Sequence, residues 1–166
     1  MDITLRRAMQ EDIPAAERIQ QTVLPPGHPY VYARNIEVGR TVNLVAETSD
    51  IIIGFASVLL TRWDTQGPFL WQRLAPYLAF IGVVPEHQGK GVGPLLLRQA
   101  VESAAIGCVR EPMLFLEHEP ENVKARKAFE RTGFRVLTKN EILQLAGIEP
   151  QGPVMAIPLD SFRKSR

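Results

Sequence analysis

Residues 76–105 read PYLAFIGVVPEHQGKGVGPLLLRQAVESAA, and the order of residue types in this stretch decides the fold class. An apolar, partly β-branched run at 78–84 predicts a strand, which Pro85 and Glu86 end. A glycine-rich turn follows, Gln88-Gly89-Lys90-Gly91-Val92-Gly93, and it opens directly into a helix. Pro94 falls in the first helical turn, where its missing N–H costs little. Leu95, Leu96, Ala100 and Val101 then set an apolar stripe of helical period. Glycines at alternate positions permit positive φ and let a bound group approach the bare backbone. The first amides of a helix lack internal partners, and the macrodipole favours negative charge there. Residues 88–94 are therefore expected to hold a phosphate or diphosphate.

Counting separates the known phosphate-binding turns. A G-x-G-x-x-G fingerprint started at Gly89 places its third glycine on Pro94, which disfavours a nicotinamide dinucleotide module. A Walker A loop needs Ser or Thr after its Gly-Lys, and Gly91 follows Lys90. The pattern Q/R-x-x-G-x-G/A fits, through Gln88, Gly91 and Gly93. In this hexapeptide the chain resembles the GNAT superfamily of acetyl-CoA-dependent N-acyltransferases. A plain strand-to-helix turn that uses glycine for close packing is the alternative.

A second stretch, PMLFLEHEPENVKARKAFERTGFRV at 112–136, extends the resemblance. A strand at 113–118 is followed by Asn122, Ala125, Phe129, Gly133 and Phe134 in the family's order. Asn122 sits near a helix start, where its amide caps the helix or bonds a pantetheine carbonyl. Gly133 reads as the residue that stops that helix, with Phe134 beginning the next strand. Together the two stretches imply an α/β (α+β) GNAT fold, with a mixed, mostly antiparallel central sheet of six to seven strands and about four flanking helices. One domain is expected to span 1–166.

The resemblance also implies site residues. Gln88, Gly89, Lys90, Gly91, Val92, Gly93 and Pro94 would cradle the diphosphate of acetyl-CoA. Val83 and Val84 would meet pantetheine through main-chain groups, with Gly82 permitting a bulge in that strand. Glu117, five residues before Asn122, matches the general base of bacterial acetyltransferases acting on ribosomal-protein N-termini. A sheet-edge glutamate facing solvent is the bland reading. Alternation in a strand sends His118 to the other face. Glu47 is the reserve base. The family's usual tyrosine acid is Phe129 here, which has no proton to donate. A thiol pKa of about 8.5 lets the thiolate leave unprotonated. Lys124 and Arg126 are candidates for the adenosine 3′-phosphate, or simply a solvated helix face. His87 and His28 are weaker candidates for contacting cofactor and acceptor.

Composition narrows the partners. The chain has 166 residues, 45% of them hydrophobic and 22% charged, with a net charge of +1. No broad field points to nucleic acid or to a membrane. Cys108 is the single cysteine, which fits a reducing compartment, and no Cys/His cluster has metal-ligand spacing. The N-terminal residues lack the pattern of a signal peptide, so a cytoplasmic location is expected. The acceptor is expected to be a small-molecule or peptide amine. A homodimer is compatible with the family, and no metal is expected. A catalytically weak CoA-binding regulatory protein of the same fold is the competing reading.

Elsewhere the pattern predicts a strand at 3–7, a helix at 10–23 and a short helix at 30–40. Strands at 41–47 and 51–62 pair across Thr48-Ser49-Asp50. The aromatic insertion WDTQGPFLWQRLAPY at 63–77 reads as a satellite cluster, a pocket wall or a dimer contact. An irregular stretch after Phe134 leads to a last strand at 153–159 that closes the sheet.

Overall fold

Short strands with β-branched residues alternate with helical stripes along the chain, and the fold follows from that alternation. A computed structural model describes residues 2–25 and 40–163. Residues 30–39 of the helix expected at 30–40, and the loop carrying His28, lie outside the described residues. Among the described residues seven strands form one sheet: β1 (Thr4–Arg7), β2 (Thr41–Thr48), β3 (Ile51–Leu59), β4 (Tyr77–Val83), β5 (Met113–Glu117), β6 (Arg135–Val136) and β7 (Val154–Pro158), in the order β1-β2-β3-β4-β5-β7-β6. The helices are α1 (Ile13–Val23), α2 (Leu70–Arg73), α3 (Val92–Gly107), α4 (Val123–Thr132), α5 (Lys139–Ala146) and α6 (Asp160–Arg163). The sheet is mixed: β1 pairs antiparallel with β2, β7 antiparallel with β5 and β6, and β4 runs parallel to β5 at Tyr77↔Phe115.

Two units divide the chain, Met1–Val58 with Ala79–Ala100, and Leu59–Leu78 with Val101–Arg166. In the first, Ala16 and Ile19 of α1 pack on Val45, Phe55 and Phe80. The Phe55 and Phe80 rings lie 5.8 Å apart. Ser49 (φ 48°) and Asp50 (φ 63°) turn β2 into β3 with both central residues left-handed, the two-residue turn whose twist suits a hairpin. Gly54 lets α3 settle on β3, since a Cβ there would stand 2.6 Å from Leu96 Cδ1. In the second unit, Leu114 and Leu116 of β5, Ile142 of α5 and Met155 of β7 are fully buried.

At Gly82 a Cβ would meet Phe80 Cζ at 2.6 Å and Val23 Cγ2 at 2.8 Å, so close packing also calls for glycine there. Three expectations need correction. Leu95 is 45% exposed; the rest of the expected stripe, Leu96, Ala100 and Val101, is buried and is joined by Val92, Leu97 and Ala104. The stretch after Phe134 is not irregular. It contains α5, whose Thr138 hydroxyl accepts from Glu141 N while the Glu141 carboxylate accepts from Thr138 N, a reciprocal cap. The last strand in sequence is not the last in the sheet, because β7 inserts between β5 and β6.

Candidate functional site

The glycine loop belongs to the first unit. Gln88 folds back so that its Nε2 donates to Val83 O, 3.0 Å away, tying the loop to the end of β4. Gly89 (φ 75°) and Gly91 (φ 87°) are left-handed, and a Cβ at either would meet nothing within 4 Å. Conformation, not crowding, demands glycine at both positions. The space above them is open, and α3 begins at Val92. Val92 is buried and anchors the loop, whereas Lys90 and Pro94 are exposed. Gly93 also leaves room, its nearest neighbour for a Cβ being Val83 Cγ2 at 3.9 Å. This arrangement fits a diphosphate: backbone donors at a helix start, left-handed turns and free volume.

Beside the loop, Val84 N donates to Ile53 O at 2.9 Å. Its amide is therefore already taken within the sheet, and Val83 O receives Gln88. The main-chain role expected for Val83 and Val84 thus has fewer open groups than the sequence suggested. His87 turns Nδ1 into the protein, where it meets no partner among the described residues. Glu47, the reserve base, is bonded by Arg6 at 3.0 Å, and Arg6 also grips Asp12 at 2.6 Å. The ion pair with Arg6 thus occupies the Glu47 carboxylate.

The second unit holds Glu117 and Asn122. Glu117 ends β5 opposite Val154 and is half-buried. Burial pushes its carboxyl up from the ordinary 4.5, amide donors at Gly152 and Gln151 pull it partly back, and the charge of Glu119 adds a small upward push. A shift in this direction makes the carboxylate a stronger proton acceptor. His118, the next residue, is buried. Its Nδ1 bonds Glu119 O at 2.8 Å, and its ring lies 6.1 Å from that of Phe129. Its Nε2 meets no partner among the described residues.

Asn122 caps α4, its Oδ1 accepting from Ala125 N at 3.1 Å. Gly133, at φ 113°, ends the same helix, as its place in the sequence suggested. Phe129 is buried between His118 and Phe134. Arg126 pairs with Glu130 at 2.9 Å on an exposed face, so it already has a partner on the helix surface. In the aromatic insertion Trp71 stands edge-on to Trp63 and stacked on Phe69. Arg73 fixes that segment by donating to Ala146 O at 3.1 Å. Sequence reasoning missed the amides of 151–152 at Glu117. The only signal there was a Gly152-Pro153 turn dipeptide, which carries no direction.

Among the described residues no group of three His, Cys, Asp or Glu side chains could hold a metal ion, and no helix is long and apolar enough to cross a membrane.

The sequence model of the acetyltransferase (GNAT) family matches residues 7–134. Mycothiol acetyltransferase of Mycobacterium leprae is 35% identical over 72 residues, which cover 42% of this chain and 23% of that protein. The match spans about a quarter of these curated relatives. Among solved structures, the ribosomal-protein-S18-alanine N-acetyltransferase of Escherichia coli superposes with a TM-score of 0.70 at 22% identity, covering 95% of this chain and 94% of its own. A GNAT-family acetyltransferase of Staphylococcus aureus gives 0.74 at 12% identity, over 96% and 100%. A Salmonella typhimurium protein solved with its cofactor acetyl-CoA gives 0.68 at 21%, over 96% and 95%. These likenesses are likenesses of fold.

Proposed function

This chain belongs to the acetyltransferase (GNAT) family, and we propose that it moves the acetyl group of acetyl-CoA to a primary amine, carried by a small molecule or a peptide, by direct attack within a ternary complex. The observation that carries the reading is the loop at 88–93, where Gly89 and Gly91 are left-handed with open space above them. Gln88, Gly89, Lys90, Gly91, Val92, Gly93 and Pro94 would hold the diphosphate, with Val83, Val84 and Asn122 contributing main-chain and amide contacts. Acetyl-CoA supplies the activated acyl group as a thioester.

The protein's own part is binding, orientation and proton transfer. Glu117 takes a proton from the acceptor ammonium onto a carboxylate oxygen, leaving a nucleophilic amine. Its raised pKa makes it a stronger proton acceptor than a solvated carboxylate. Phe129 has no proton to give, so protonation of the departing sulfur falls to water or to another group. The location we infer is the cytoplasm, consistent with a lone cysteine, Cys108, that is buried and donates to Leu60 O.

The test is thiol release from acetyl-CoA over a panel of primary amines, run beside calorimetry with coenzyme A. Turnover with at least one amine, abolished by Glu117→Gln, is the expected result. Binding without release over the whole panel would favour the second reading, a weakly catalytic CoA-binding regulator, for which Phe129 is the specific motive. No heat on titrating coenzyme A into folded protein would overturn both.

A further inference from the structure

The antiparallel ladder between β5 and β7 runs from Met113↔Pro158 to Glu117↔Val154. It does not stop there. His118 N donates to Pro153 O at 3.1 Å, so residues 151–153 continue alongside the end of β5 as a strap. Within the strap, Gly152 lies so close to β5 that a Cβ would stand 2.7 Å from His118 O. The same Cβ would lie 3.7 Å from both Cγ and Oε1 of Glu117. A carbonyl held in a ladder cannot rotate away as a flexible side chain can. The φ of Gly152 is outside the left-handed region, so space alone calls for glycine. This close approach sets the backbone of the strap beside the Glu117 carboxylate, where the amides of Gly152 and Gln151 favour its ionised form.

We propose that Gly152, through the strap of residues 151–153, is the positioning residue for the Glu117 carboxylate. This rests on the reading of Glu117 as the general base. An ionised carboxylate has about four acceptor sites. Two amides of the strap would take two of these and still leave an oxygen lone pair for the substrate ammonium. The surroundings add little else. Residues 151–153 carry no charge, Val154 opposite is apolar, and Glu119 repels weakly. The strap is thus the main force opposing the burial that raises the carboxyl.

Carbon-13 labelling of glutamate carboxyls tests this without any acceptor. The Glu117 resonance is assigned by its loss in Glu117→Gln and followed against pH in wild type, Gly152→Ala and Gln151→Pro. Alanine displaces the strap by bulk, whereas proline removes one amide donor without adding bulk at 152. In both variants Glu117 is expected to titrate at higher pH than in wild type, with the rest of the spectrum dispersed. Unchanged titration in a folded variant would overturn the proposal. If Gly152→Ala does not fold, Gln151→Pro decides alone. Thiol release separates the two ideas. Normal turnover by Glu117→Gln would remove the base assignment and leave the titration result standing. A shifted titration with an unmoved acid limb of thiol release would show that the strap does not serve catalysis.

Discussion

The side-chain amide of Gln88 donates to the carbonyl of Val83 across 3.0 Å, and this bond joins the start of the glycine loop to the end of β4. The residue that opens the phosphate-binding pattern therefore shapes the loop before any ligand arrives. Gln88→Ala removes the bond from an exposed site. A hydrogen bond of this kind contributes about 0.5–1.5 kcal/mol. Coenzyme A affinity is expected to fall by roughly 2- to 10-fold with the fold intact. Calorimetry beside circular dichroism reads both.

Gly91 tests conformation apart from space. A side chain there finds no obstacle within 4 Å, but φ is 87°. Holding a non-glycine residue in left-handed backbone costs about 1–2 kcal/mol. Gly91→Val is expected to relax by rebuilding the loop, losing coenzyme A binding while the melting temperature drops only modestly. The isothermal titration of the variant should be flat. Retained affinity would separate the loop from the ligand.

Asp12 carries a stability prediction with a definite sign. It is buried, takes two bonds from Arg6 (2.6 and 3.0 Å) and one from Met9 N (2.7 Å). The Arg6 bonds hold its carboxyl below the ordinary 3.8 despite burial. A depressed folded value stabilises the protein above the unfolded pKa, and that contribution disappears as pH falls through the folded one. Asp12→Ala is expected to cost about 2 kcal/mol at neutral pH. The gap to wild type should narrow on acidification, as urea melts at a series of pH values would show.

Glu117 has the opposite sign. Its folded pKa is raised above 4.5, chiefly by burial, so the native state binds the proton more tightly than the unfolded chain does. Its effect is absent well below 4.5 and becomes destabilising as pH rises through the folded value. Glu117→Gln is therefore expected to melt higher than wild type at neutral pH and equally at low pH, while thiol release is lost. Stability gained where activity is lost marks a functional carboxylate. Scanning calorimetry at two pH values suffices.

Legibility in the sequence followed the range of the interactions. The strand, loop and helix around 77–107 were readable because glycine, proline and apolar periodicity act within a few residues. Asn122 and Gly133 were readable as helix ends for the same reason. The α5 helix escaped although Thr138 and Glu141 form its cap, because Leu143 and Leu145 are exposed and blur the apolar period. The place of β7 between β5 and β6 is a pairing choice that no local pattern encodes. The approach of Gly152 to Glu117 joins residues 35 positions apart in the chain, and only the folded ladder reveals it.

Phe129 offers the last prediction. Its ring is buried between Phe134 at 5.8 Å and His118 at 6.1 Å, in the position where family members resembling this chain carry a tyrosine. Because phenylalanine does not ionise, the wild-type rate should show an acid limb from Glu117 and no alkaline limb from residue 129. Phe129→Tyr adds a phenol whose ordinary pKa is about 10, next to an imidazole nitrogen without a partner among the described residues. A buried hydroxyl needs such a partner. If a donor at 129 assists departure of the sulfur, thiol release in the variant should rise at neutral pH and fall as the phenol ionises. A profile identical to wild type in a folded variant would mean that proton delivery to the leaving group is handled away from α4.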